Sequence, residues 1–265
     1  MLTDLRQKLE PVGRLEVLDG VGLRALSYHA EQDAGDMDAD ALGRRARAQL
    51  LVGEVKELRG DGAGALKAFQ SSAAATAELL RREPDVAQRL YDHVQSRFWV
   101  GLIAWQRKEP DAAERAFRGY LELAEWLVAM DPDNADWLAE KAGAQSNLAI
   151  LLEGEGQLEE AGMLQQSALV IERRLSALEP DNMGRARQLG QSWAYVADKL
   201  GRRGDYDGAI AARGEESVIY TSILARDPKH AQALDEKVMA SIEAANLQFF
   251  KPATMAFRLL GSASR

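Results

Sequence analysis

Residues 60–68 read GDGAGALKA, and how this stretch is read decides the fold. Three glycines in five positions ahead of a helix-like run have the texture of a phosphate-binding loop. A P-loop also needs a preceding strand and a Lys-Ser/Thr pair, and the flanking residues supply neither. The same slot recurs as KEPDAAERA at 108–116, GQLEEAGML at 156–164 and GDYDGAIAA at 204–212. Only one copy has three glycines. The copies share a helix breaker or turn former, one or two polar residues, and then a helix with alanine at a fixed place. That pattern is a helix-to-helix turn. Gly60, Gly156 and Gly204 suit the left-handed residue that follows a helix. A second glycine pattern, DGVGLRA at 19–25, lacks the βαβ alternation that a dinucleotide site requires.

The turn belongs to a longer period. Pro84, Pro132, Pro180 and Pro228 are each 48 residues apart, in EPD, DPD, EPD and DPK. Ala65, Ala113, Ala161 and Ala209 keep the same spacing, as do Val52, Val100, Leu148 and Val196, and Leu79, Leu127, Leu175 and Ile223. Repeats of this length mark stacked helical units. Within a unit the apolar residues follow a helical period: Trp193, Val196, Ala197 and Leu200 fall at i, i+3, i+4 and i+7, and Phe117, Leu121, Ala124 and Val128 line up likewise. Each unit is therefore two antiparallel helices. The first is expected near 39–58, 86–106, 135–153 and 183–201, and the second near 63–82, 111–130, 158–178 and 206–226. Asp85, Asp133, Asp181 or their neighbours are the N-cap candidates. The domain plan is a pair of capping helices with an acidic linker over 1–37 and four repeats over 38–229 (38–85, 86–133, 134–181, 182–229). A capping helix near 231–248 and a tail fill 230–265, with Pro252 interrupting any longer helix.

Composition narrows the function. With 46% hydrophobic and 28% charged residues, the 265-residue chain can bury a core. It has no cysteine, so disulfides, thiolate metal sites and cysteine nucleophiles are excluded. That absence fits a reducing compartment, and a cytoplasmic setting is expected. The net charge of −8 argues against nucleic acid as a partner. Arg44, Arg45 and Arg47, and Arg202 and Arg203, read as solvated helix surface. The opening MLTDLRQKLE lacks the apolar core of a signal peptide. No run of about 18 apolar residues occurs, so no membrane contact is expected from this chain itself.

Little catalytic chemistry is advertised. His29, His93 and His230 lie in different units and read as surface or interface residues, with no metal expected. In EQDAGDMDAD at 31–40, Asp36, Asp38 and Asp40 mimic a calcium loop. Ala41 and Arg47 occupy the places where glycine and glutamate are needed. The stretch reads instead as a linker that caps the next helix. Glu159–Glu160 and Glu215–Glu216 sit in polar surroundings. No catalytic residue and no cofactor are assigned, and the expectation is a non-enzyme.

These residues resemble the tetratricopeptide repeat (TPR) family, whose pattern is W-x2-L-G-x2-Y in the first helix, A, F and A in the second, then P. Val52, Gly53, Ala65 and Phe69 match in the first unit, and Val100, Gly101, Ala113 and Phe117 in the second. Leu148, Ala149, Leu152 and Ala161 match in the third, and Trp193, Val196, Ala197, Leu200 and Ala209 in the fourth. The resemblance covers about 39–229. The family repeat is 34 residues, so this chain departs from it by 14 per unit. Seven extra residues per helix are nearly two turns, about 10 Å of length without rotation of the apolar face. A HEAT-type repeat, at about 40–47 residues, is the fold-level alternative. LEPVGRLEVLDGVG and DADALGRRARA also look like the start of TPR arrays in large bacterial signalling proteins, where the array follows an enzymatic module, often after a membrane helix.

The resemblance implies a right-handed all-α solenoid whose concave face, lined by the first helices, holds a protein or peptide segment. Carried over by register, the groove residues are Arg47 and Glu54; Gln95, Phe98, Leu102 and Trp105; Ser146 and Ile150; and Gln191 and Asp198. In RFWVGLIAW at 97–105, Phe98, Leu102 and Trp105 form a second apolar face. That face is either packed against a neighbouring helix or open as an anchor for a partner. Rival readings are a homo-oligomerisation module, through this face or LQFFKP at 247–252, and a ligand-gated regulatory domain controlling an attached enzyme.

Overall fold

A computed structural model describes residues 37–262, with side chains to Phe249. The capping helices expected over 2–29, the DGVGLRA stretch, His29 and most of the acidic run lie outside the described residues. Among the described residues there is no strand, and the helices are α1 Ala39–Leu58, α2 Gly62–Arg82, α3 Ala87–Gln106, α4 Pro110–Met130, α5 Ala135–Gly154, α6 Leu158–Leu178, α7 Met183–Arg202, α8 Tyr206–Arg226 and α9 Ala231–Ser262. The fold class is all-α, a solenoid of helix pairs. α1, α3, α5, α7 and α9 each begin 48 residues after the one before.

The turns follow from local chemistry. After α1 the N–H of Gly60 donates to Glu57 O and that of Asp61 to Lys56 O. This is the paired bonding of a Schellman cap. Gly60, Gly156 and Gly204 all hold φ near 80°. Lys108 stands at the same place after α3 with φ 60° and makes the same bonds, Lys108 N to Trp105 O and Glu109 N to Ala104 O. Asp61 and Asp205 then cap the next helices, accepting from the N–H of Gly64 and Gly208. Asp38 caps α1 through the N–H of Ala41.

At the Pro-Asp turns the caps fall one residue after the aspartates: Asn134 accepts from Asp136 and Trp137, and Asn182 from Arg185. At α3 that place is Val86, which has no side chain able to cap. His230 caps the start of α9, its Nδ1 accepting from the Ala233 N–H. The expected break at Pro252 is corrected: α9 runs through it to Ser262. Proline removes one helical donor, and the leucine, methionine and alanine around it are strong helix formers.

The helices form two compact units that divide within α6, at Leu164/Gln165. In the first unit, α2 packs between α1 and α3, and α4 between α3 and α5. Its largest cluster joins Leu90, Val94, Phe117, Tyr120, Leu127, Leu148 and Leu152. Phe69 and Phe117 are buried and fill their hairpins only because the opposite helix carries glycine. A Cβ on Gly53 would stand 2.4 Å from the Phe69 ring, and one on Gly101 2.6 Å from the Phe117 ring.

In the second unit α8 packs between α7 and α9. Tyr220 and Ile223 anchor its core with Ala233, and Gly190 leaves room for the Tyr220 ring. The register positions that hold Phe69 and Phe117 hold Gln165 and Arg213 here, and both are buried.

Candidate functional site

In the first unit, α1, α2 and α3 enclose a recess of about 250 Å³ lined by Arg47, Leu50, Glu54, Ser72, Thr76, Tyr91, Asp92 and Gln95, among others. Of the predicted residues, it brings together Arg47, Glu54 and Gln95. Arg47 Nη1 donates to Asp92 Oδ2 at 2.9 Å, and Gln88 Nε2 donates to the other oxygen at 2.8 Å. Ser72 Oγ donates to Ala46 O. Thr76 Oγ1 lies 2.9 Å from His93 Nδ1 and 2.8 Å from Ser96 Oγ. Burial, helped by the Arg97 charge, pulls His93 down to about 4, so the ring is a neutral packing group. Burial and the Glu140 carboxylate push the Tyr91 phenol up to about 12.

In the second unit, α7, α8 and α9 enclose a larger recess of about 830 Å³, lined by Gln191, Ala194, Tyr195, Asp198, Arg213, Glu216, Tyr220, Asp235, Glu236, Met239 and Glu243, among others. It brings together the predicted Gln191 and Asp198. The two recesses are one feature three periods apart. Adding 144 to 47, 50, 54, 72, 76, 92 and 95 gives 191, 194, 198, 216, 220, 236 and 239, and every one of these lines the second recess.

The chemistry differs. The second recess has five carboxylates against two guanidinium groups, the first two against one. Arg213 is almost fully buried. It donates from Nη1 to Glu216 Oε2 at 2.7 Å and from Nη2 to Asp198. Burial raises the Glu216 carboxyl above its usual range, with Arg213 opposing that rise. Gln191 Nε2 donates to Glu236 Oε1, which also lies 3.7 Å from Arg187.

One period on from the first recess, aromatic rings stand in the slot. Phe98 and Tyr120 stand where Leu50 and Ser72 stand. Phe98 packs against the core, 5.6 Å from the Tyr120 ring and 5.3 Å from Trp99, which stacks on Phe69. Tyr120 donates to Glu140 Oε2 at 2.7 Å. The structure therefore separates the residues expected to share one apolar face: Phe98 is half-buried against the core, Leu102 is half-buried, and Trp105 is 46% exposed outside both recesses. On α5, Ser146 is half-buried and Ile150 is 43% exposed.

The register of the first helices does not reach Ser72, Thr76, Tyr91 and Asp92 in the first recess or Arg213, Glu216, Tyr220, Asp235 and Glu236 in the second. The second helix of each pair and the first helix of the next repeat complete each recess. The signal was available in the 48-residue ladder, extended to those helices. Among the described residues, no group of three or more His, Asp or Glu side chains is placed to hold a metal, and no helix is long and apolar enough to cross a membrane.

The fold is similar to that of BtubC (BKLC) from P. vanneervenii, with a TM-score of 0.56 and 14% identity over 91% of this chain and 92% of that one. Looser likenesses are the MamA RS-1 ArsTM double mutant (TM-score 0.40, 17% identity, 86% and 96% covered) and the C-terminal part of a TPR repeat-containing protein from Cytophaga hutchinsonii (TM-score 0.31, 13% identity, 89% and 97% covered). At these identities the likeness concerns fold alone, that of an all-α helical repeat. No protein-family model matches the sequence, and comparison with curated proteins gives no match.

Proposed function

We propose that the chain is a noncatalytic scaffold that binds protein or peptide segments in its inter-repeat recesses. The observation that carries this reading is the recurrence of one recess at equivalent positions of two different hairpin sets, each with a mixed polar and apolar lining. Such mixed, concave sites orient a segment through a few polar groups while burying its apolar side chains. The 48-residue, long-helix variant of the TPR pattern, a cytoplasmic setting and a place in a larger bacterial signalling or regulatory protein complete the reading. They rest on the sequence ladders, the missing cysteines and the resemblance of the first 48 residues.

A random-peptide display selection against the full chain tests it. Enriched peptides are expected to lose binding to Leu50→Arg or Ala194→Arg, each of which blocks one recess, while far-ultraviolet circular dichroism stays helical. Peptides that bind both folded variants unchanged, or no enrichment at all, overturn the reading.

A second reading has its own observation. α9 exposes Leu234, Val238 and Ile242 at i, i+4 and i+8, with Phe249 further along. An apolar stripe of this kind suits self-association. Sedimentation of the wild type and Val238→Glu/Ile242→Glu decides it: a dimer lost in the variant supports it, and a monomeric wild type overturns it.

A further inference from the structure

We propose that the α7–α9 recess takes an extended partner segment with two basic side chains four residues apart and an apolar side chain midway between them. This deepens the scaffold reading and rests on it. The recess has two guanidinium groups, Arg202 and Arg213, against five carboxylates, and Glu216 and Asp198 already pair with Arg213. Glu236 is engaged by Gln191 and Arg187. Asp235 and Glu243, also in the lining, make no hydrogen bond or ion pair among the described residues. The recess therefore presents uncompensated negative charge on a defined face.

That face has a spacing. Asp235, Met239, Glu243 and Leu247 fall at i, i+4, i+8 and i+12 on α9, and all four line the recess. Acid and apolar residues alternate along the wall. Eight helical residues span about 12 Å. An extended chain rises about 3.3 Å per residue, so four residues cover that distance. Residues i, i+2 and i+4 of such a chain point the same way. A basic residue at i meets Asp235, an apolar one at i+2 meets Met239 with Tyr195 opposite, and a basic one at i+4 meets Glu243. The first recess lacks this pattern: its acid on α3, Asp92, is paired with Arg47, and Gln95 stands where Met239 does.

The experiment uses the full chain and a fluorescein-labelled peptide, Gly-Lys-Ser-Leu-Ser-Lys-Gly, read by anisotropy. Controls replace both lysines by glutamate, or by serine, or place the lysines side by side. Binding is expected for the first peptide and to weaken as salt rises. It is expected to fall about tenfold, worth 1.4 kcal/mol, in Asp235→Asn/Glu243→Gln. Both sites lie on the surface wall of the recess, and the substitutions keep side-chain shape. Glu122→Gln/Glu215→Gln removes the same charge from exposed positions outside the recess and is expected to leave binding unchanged.

Equal binding by the recess variant, an equal effect of the distant variant, or equal binding of the adjacent-lysine peptide overturns the inference. If the serine peptide binds as well as the lysine one and Ala194→Arg abolishes both, the charge inference fails while the scaffold reading stands. If none of the four peptides binds, the inference fails and the display selection alone judges the scaffold reading.

Discussion

Phe69 and Phe117 in the first unit and Gln165 and Arg213 in the second occupy one register position, and all four are buried. The first unit fills that position with rings that lie against glycine on the opposing helix. The second has Ala197 opposite Arg213, which leaves no room for a ring, and the guanidinium instead pairs with Glu216 and Asp198. Two residues therefore change together, and the consequence reaches the surface. Beside Phe117, the Phe98 and Tyr120 rings stand in the slot, whereas beside Phe69 a small recess remains. A core built on an ion pair needs partners at its rim, and that rim is the wall of the larger recess. The same backbone register yields a small recess with one arginine in one half and a larger, more charged one in the other.

Putting the second unit's residue into the first has the largest expected effect. Phe117→Gln empties the site under Gly101 and buries an amide without a partner, at a cost of about 4 kcal/mol. Urea unfolding should register this, with hydrogen exchange placing the loss in α3 and α4. A cost below about 1 kcal/mol would show that the ring–glycine pairing does not hold the hairpin.

Acid and base should separate the halves next. Burial lifts the Glu172 carboxyl from 4.5 to about 7, with Ser192 and Gln188 acting against the rise. Its folded pKa lies above its unfolded one. Stability is therefore full below about pH 4.5, falls as pH rises towards 7, and stays lower above it. The cost of ionising it is about 3 kcal/mol at alkaline pH. Glu172→Gln should recover about 2 kcal/mol of this at pH 8 and almost none at pH 4.

His93 behaves in the opposite way. Its folded pKa is depressed from 6.5 to about 4, so the first unit loses stability as pH falls through that window. Hydrogen exchange at pH 5 and pH 8 checks both, with α2–α3 opening more easily in acid and α6–α7 in base. Parallel pH profiles for the two units would contradict the comparison.

The glycine exchange gives a smaller effect whose sign is informative. Helix propensity alone favours Gly101→Ala by about 1 kcal/mol. The added Cβ meets Phe117 at 2.6 Å, and overpacking of this kind costs about 1–3 kcal/mol. A net loss of about 1 kcal/mol in urea unfolding is expected; a gain would mean that the ring moves aside freely.

The fold was legible because its signals are local and repeated. Proline and alanine ladders fix the period, and the ends of α1 to α8 fall within about a residue of expectation because caps and breakers act over a few residues, while α9 runs on past its expected end. The site was half legible. Arg47, Glu54, Gln95, Gln191 and Asp198 line the recesses because register carries over from one repeat to the next. Phe98 and Trp105 were not separable by pattern. Both lie on one apolar face of α3, and what decides between them is Tyr120 on α4, which covers Phe98 and leaves Trp105 exposed. A helical period ranks the faces of one helix; it does not say how far the neighbour reaches. The polar core of the second unit was hidden for a related reason. By sequence Glu215–Glu216 sits in polar surroundings, and only the packing of the helices buries Glu216 with Arg213.

The smallest effect isolates the turn from the cores. Lys108 is the non-glycine residue at the left-handed place that Gly60, Gly156 and Gly204 occupy after their helices. A side chain there strains the backbone by about 1–2 kcal/mol, and glycine gives part of that back through its freedom in the unfolded chain. Lys108→Gly should therefore raise stability by about 0.5–1 kcal/mol. The gain should appear in the α3–α4 hairpin alone, since Lys108 touches neither recess. Peptide binding in the second unit should stay as it is. If binding changed with this turn, the two units would be coupled through α3–α6, and the difference between their cores would be part of one cooperative structure rather than a property of each half.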